Sequence, residues 1–186
     1  MARPTVLILD FGSQYTQLIA RRIREMHVYC EIHPCTMSWD ALTALDPTAI
    51  ILSGGPASVY GEDAPTVDRR IFDLGKPVLG ICYGMQLICH LLGGSVQRAS
   101  EREYGPAHID VLEPVGLLHR LKVGESEPVW MSHGDRVESI PPGFRTIAKS
   151  GNSPFAAIAN PERRMYGVQF HPEVAHSPKG GEMIAS

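Results

Sequence analysis

The segment Val78-Leu-Gly-Ile-Cys82-Tyr-Gly84-Met-Gln86 puts a thiol where an apolar strand candidate runs straight into a helix. Gly80 and Gly84 flank Cys82 on either side, as a sharp strand-to-helix bend requires, because the crowded backbone there leaves no room for larger neighbours. Such a bend lifts the side chain out of the sheet. The helix N-terminus behind it favours an anion, which lowers a thiol pKa, and offers N–H groups to a developing oxyanion. The chemistry would be nucleophilic attack on a carbonyl carbon. The plainer reading is one more buried cysteine. Cys89 falls on the following helix and is expected in the core, and Cys30 and Cys35 have no comparable setting. None of the four forms a C-x2-C pair, so neither a zinc site nor a disulfide framework is indicated, and a reducing cytoplasm is expected.

A thiolate nucleophile needs a histidine, and the histidine needs a group to orient it. In Tyr166-Gly-Val-Gln-Phe-His171-Pro-Glu173 a strand delivers His171 at its end. If the chain stays extended, Glu173 points the same way and can fix the imidazole tautomer. A lone His-Pro-Glu could equally be a surface turn. Ser53-Gly54-Gly55-Pro56 follows another strand and reads as a rigid loop of exposed N–H groups, suited to an oxyanion or a carboxylate. Met131-Ser132-His133-Gly134-Asp135-Arg136 reads as a further strand-end polar loop, either for substrate binding or as a plain turn. Nothing near His133 in sequence would orient it as Glu173 could orient His171. His133 and His171 with a carboxylate have no tight ligand spacing, so no metal is expected.

The elements needed to hold these residues are legible. Val6–Leu9, Val28–Ile32, Ala49–Leu52 and Val78–Ile81 are continuous apolar strand candidates. Between them lie helix candidates at Tyr15–Met26, with Leu18, Ile19, Ile23 and Met26 on one face, and at Thr66–Leu74. Another follows at residues 84–92, stopped by Gly93-Gly94. Alternating strands and helices with continuously apolar strands predict an α/β fold. It would be an open, mostly parallel central sheet with helices on both faces. After Ser95 the strand candidates are shorter and polar on one side: Ile109–Leu112, Val129–Ser132, Phe144–Ala148, Phe155–Ala159 and Met165–Phe170. They predict added antiparallel strands in the C-terminal half. Cys82, His171 and the Gly54-Gly55 loop would then sit at carboxyl ends of strands, where open α/β sheets place their sites.

Composition limits the alternatives. The 186 residues suit one domain, and 44% are apolar, enough for a core. A net charge of −3 argues against a nucleic-acid partner, which needs a basic footprint. No apolar run is long enough for a membrane span, and the first residues are expected to carry no signal peptide. Glycine (18) and proline (15) are abundant without forming a low-complexity tract, which points to many tight loops.

Taken together, Gly80-Ile-Cys82-Tyr-Gly84-Met-Gln86 and Gly167-Val-Gln-Phe-His171-Pro-Glu173 resemble the class I (triad) glutamine amidotransferases. Asp10-Phe-Gly-Ser-Gln14-Tyr, Ser53-Gly-Gly-Pro56-Ala-Ser58-Val-Tyr60 and Ser132-His-Gly-Asp135 are similar to the branch that serves GMP synthetases. The resemblance implies that Cys82 is the nucleophile, that His171 is its base and that Glu173 orients His171. It implies an oxyanion hole from the backbone of Gly55 and Tyr83, and glutamine binding by Gly54, Gln86, Ser132 and His133. It also implies that residues 1–186 form one amidotransferase domain taken from a longer chain. That chain, or else a separate subunit, would carry an ATP pyrophosphatase synthetase domain, and ATP and magnesium would bind there; no cofactor is expected in this domain. An amidotransferase subunit of another synthase, a hydrolase of the same sheet type and a non-catalytic domain of the same fold remain the alternatives.

Overall fold

A computed structural model describes residues 4–186. The expectation about a signal peptide at the first residues falls partly on residues 1–3, outside the described residues. The chain order is β1 (Thr5–Asp10), α1 (Thr16–Glu25), β2 (Tyr29–Pro34), α2 (Trp39–Leu45), β3 (Ala49–Leu52), β4 (Val78–Ile81) and α3 (Tyr83–Leu92). Then come β5 (Ser95–Val111), β6 (Ser126–Ser139), β7 (Arg145–Ser150), β8 (Ala157–Asn160), β9 (Met165–Val168) and α4 (Gly180–Ile184).

The nine strands of the described residues form one sheet in the order β2-β1-β3-β4-β9-β8-β7-β5-β6. From β2 to β9 the neighbours are parallel, and from β9 to β6 they are antiparallel. The expected split between the halves is therefore present. Alternation along β1 divides the core in two. Ile8 joins Ile19 and Ile23 of α1 and Met183 of α4 on one face. Leu7 and Leu9 join Leu42 of α2 and Met85 and Ile88 of α3 on the other. The β1–β2 connection leaves on one side of β1 and the route to β3 on the other. A crevice therefore opens beyond the carboxyl ends of β1 and β3, as it does at such switch points in open sheets.

Three expectations change. Residues 66–74 form only a 3₁₀ turn at Arg69–Asp73, capped by the Asp68 carboxylate accepting from the Arg70 N–H at 3.0 Å. Pro65 before it and Gly75 (φ +68°) after it leave no length for α-helical turns. Trp39–Leu45 is a helix that short periodicity does not reveal; Ser38 caps it and Asp46 ends it in the left-handed region. The strands after Ser95 include the two longest in the sheet, β5 and β6, because a two-stranded antiparallel ribbon needs apolar residues on one side only. As a result Ser132–Asp135 lies inside β6 rather than in a loop at a strand end.

Candidate active site

Cys82 ends β4 and caps α3 with φ 52° and ψ −106°. This is a strained conformation for a residue with a side chain, and the packing around it enforces it. A Cβ at Gly84 would collide with the carbonyl of Leu52, and one at Gly80 would come 2.5 Å from the Gly84 carbonyl carbon. The two glycines are thus required by close approach of β3, β4 and α3. The Gly84 N–H donates to Ser53 O at 3.1 Å, tying the helix start to the Ser53–Pro56 loop.

His171 follows β9 and is anchored by its own N–H donating to Trp130 O of β6 at 2.9 Å. Its Nδ1 donates to Glu173 Oε1 at 2.7 Å. That bond spans a turn at Pro172–Glu173, so the expected extended geometry is replaced by a turn that brings the same two groups together. His171 and Glu173 are buried. Burial by itself lowers the imidazole's proton affinity. Hydrogen bonds and charge from Cys82 and Glu173 outweigh it and hold the His171 pKa up to about 10. The histidine therefore favours the imidazolium form, the natural counterpart of a thiolate. By contrast, burial pushes the Cys89 thiol up to about 12. Tyr15 sets the edge-to-face contact with the His171 ring, 5.0 Å between centroids.

Cys82, His171 and Tyr15 border one cleft of about 690 Å³. Gly54 lies against both partners: a Cβ there would stand 3.0 Å from His171 Cε1 and 3.7 Å from Cys82 Cβ. Gly55 packs so closely on the Phe11 carbonyl that a side chain is excluded. The N–H of Tyr83, first residue of α3, has no acceptor within its helix. Gln86 is buried, and its Nε2 donates to Asp135 O at 3.0 Å and to Gln169 Oε1 at 3.3 Å. Ser132 meets the thiol through its backbone: Cys82 Sγ donates to Ser132 O at 3.6 Å.

His133 departs from expectation. A carboxylate does orient it, for its Nε2 lies 2.8 Å from Glu103 Oε2 and its Nδ1 lies 2.8 Å from Asp135 O. Glu103 is distant in sequence, so no local spacing could reveal it. Gln169 is a further functional residue that the sequence does not single out, although it lies in the His171 motif. It is fully buried, and its Nε2 donates to Cys82 Sγ at 3.6 Å. Asp135 accepts from Tyr60 Oη at 2.8 Å and from Ser58 Oγ at the cleft mouth. Arg98 and Arg102 line the same mouth. Among the described residues no group of three His, Cys, Asp or Glu side chains gathers as for a metal, and no helix is long and apolar enough to cross a membrane.

Known proteins are similar to this chain in sequence and fold. The family model for glutamine amidotransferase class-I matches residues 7–186. A glutamine-hydrolyzing GMP synthase of Heliobacterium modesticaldum is 56% identical over 99% of this chain, which spans 36% of that protein. The chain thus spans about a third of the length of the curated relatives it matches. Among solved structures, a candidate GMP synthase subunit from Thermoplasma acidophilum superposes with a TM-score of 0.89 at 29% identity, covering 100% of this chain and 92% of that one. A glutamine amidotransferase of Thermotoga maritima has the same fold, with a TM-score of 0.72 at 20% identity over 97% of this chain and 80% of its own. The chain belongs to the class I glutamine amidotransferase family.

Proposed function

We propose that this chain carries out the glutaminase half-reaction of GMP synthesis. The single observation behind the reading is the strained Cys82 at the start of α3, sharing one cleft with a His171 whose Nδ1 is held by the buried Glu173. The Cys82 thiolate attacks the side-chain amide carbon of glutamine. The carbonyl oxygen becomes an oxyanion, held by the N–H groups of Gly55 and Tyr83. Collapse breaks the C–N bond, and the His171 imidazolium gives its proton to the departing ammonia. Water, deprotonated by His171, then attacks the thioester and yields glutamate and the free thiol.

Gln86 and the backbone of Ser132 hold the glutamine, with Gly54 leaving room for it. At the mouth, the Asp135 carboxylate suits an α-ammonium, and Arg98 and Arg102 suit an α-carboxylate. The ammonia passes to an ATP pyrophosphatase synthetase domain that aminates xanthosine monophosphate, using ATP and magnesium bound there. The share of the relatives' length left over beyond this chain, and their name, support that partner. The cytoplasm is the expected setting.

A glutamine-derived diazo-ketone tests the chemistry. It is expected to label Cys82 alone, and ammonia release from glutamine is expected to be slow until the synthetase partner is added. Labelling elsewhere, or no labelling of folded protein, would sink the mechanism. Ammonia transfer that supports amination of a substrate other than xanthosine monophosphate would redirect the partner assignment.

A further inference from the structure

A second histidine–carboxylate pair is built into the cleft wall, where His133 is a lining residue and Glu103 stands behind it. Glu103 and His133 are cross-strand partners in β5 and β6, and both are buried. Besides the two 2.8 Å contacts of the His133 ring, Ser150 Oγ of β7 donates to Glu103 Oε1 at 3.4 Å. Both ring nitrogens are therefore engaged within the wall, and neither is left for substrate or for Cys82.

The pair sits where the strand register breaks. Arg98 opposes Asp135 and Glu103 opposes His133, so residues 99–102 of β5 lie across from Gly134 alone. A bulge of this kind interrupts the backbone ladder. The Glu103 and His133 side chains supply the missing hold. Proton counting shows how. The Asp135 carbonyl only accepts, so His133 Nδ1 carries a hydrogen. Nε2 faces a carboxylate oxygen, so one further proton lies between Nε2 and Oε2. The pair is net neutral and fully hydrogen-bonded, which makes its burial tolerable.

What it holds is the inner wall of the site. Ser132 O meets the Cys82 thiol. Asp135 O accepts from both His133 Nδ1 and Gln86 Nε2. The Asp135 carboxylate stands at the cleft mouth with Tyr60. We infer that Glu103 is a positioning residue for the glutamine site. Acting through His133, it locks residues 132–135 in the register that presents Ser132 and Asp135 to the cleft. His133 thereby serves as part of the wall, its two ring nitrogens spent on Asp135 and Glu103. This inference rests on the glutaminase reading above.

Glutaminase kinetics and thermal unfolding of Glu103→Ala and Glu103→Gln test it. Glu103→Ala leaves Nε2 unpartnered and is expected to raise KM for glutamine about tenfold or more, with kcat within about threefold because His171–Glu173 is untouched. Glu103→Gln restores the pattern: its amide donates to a neutral Nε2 while Nδ1–H still holds Asp135. Its KM is expected within about threefold of the unaltered chain. A purely stabilising role predicts a lowered unfolding temperature and an unmoved KM. An unmoved KM in folded Glu103→Ala overturns the inference. If Glu103→Ala does not fold, Glu103→Gln decides. Histidine-selective ¹⁵N NMR should then show His133 protonated on Nδ1 only, with KM retained; a tenfold higher KM despite that pattern overturns it. Absence of glutaminase activity or of Cys82 labelling in the unaltered chain would defeat the underlying reading, and this inference with it.

Discussion

The protein contains two buried histidine–carboxylate pairs with nearly equal geometry and different surroundings. His171 Nδ1 lies 2.7 Å from Glu173, and the nearby Cys82 helps to raise the imidazole's pKa. His133 Nε2 lies 2.8 Å from Glu103, and its other nitrogen is spent on a backbone carbonyl. A carboxylate beside an imidazole does not by itself make a base. The surroundings differ: under the proposed function the neighbouring thiol makes the first pair part of the chemistry, whereas a backbone carbonyl occupies the other nitrogen of the second. The positions in the sheet differ accordingly. His171 follows β9 among the parallel strands, beside β4 that delivers Cys82. His133 lies within the antiparallel ribbon that walls the cleft.

The largest way to break this contrast is at the first pair. His171→Asn is expected to cut kcat for ammonia release by at least about 10³-fold, and Glu173→Gln by about 10²-fold, both with KM changed little. Steady-state glutaminase assays check both. A raised KM with unchanged kcat in Glu173→Gln would erase the division of labour between the two pairs.

A middling effect is expected from pH. The His171 pKa lies above its unfolded value of about 6.5, raised to about 10. The stabilisation it contributes is therefore fully present below about pH 6.5 and is lost as pH rises through about 10. Replacing Cys82 with Ala removes one of the two groups that raise it, so the alkaline loss should begin at lower pH. Thermal unfolding across pH 6 to 11 measures this. The same midpoint in both proteins would mean that Cys82 does not support the imidazolium.

The smallest effect belongs to the edge of the second pair. Ser150→Ala removes a long 3.4 Å contact to Glu103 and the 3.1 Å bond that Ser150 Oγ accepts from the Ser153 N–H; it is expected to cost about 1–2 kcal/mol, with KM within about twofold. A KM rise as large as that of Glu103→Ala would place the wall's anchor in β7 rather than in the Glu103–His133 bond.

Much of the site is legible before the fold because its parts are local. Gly80 and Gly84 announce the bend at Cys82 through a steric need that only glycine meets, and the structure places Leu52 and the helix backbone where that need predicts. Glu173 stands two residues from His171, so a short turn suffices to join them. The parallel strands are equally plain, since strands buried on both faces are apolar throughout. The seven-residue α2 and the length of β5 and β6 are not, because short helices lack periodicity and one-sided strands look half polar.

The sequence alone singled out Cys82, His171 and Glu173, which the fold brings together, along with a sheet open at its carboxyl edge. Each depends on residue types within a few positions of one another. Only the tertiary structure decided that Glu103 is the partner of His133 and that Gln169 reaches the thiol. Glu103 and His133 meet across a break in strand register, and Gln169 and Cys82 meet across adjacent strands. Contacts between residues far apart in the chain are created by strand pairing and leave no local pattern behind.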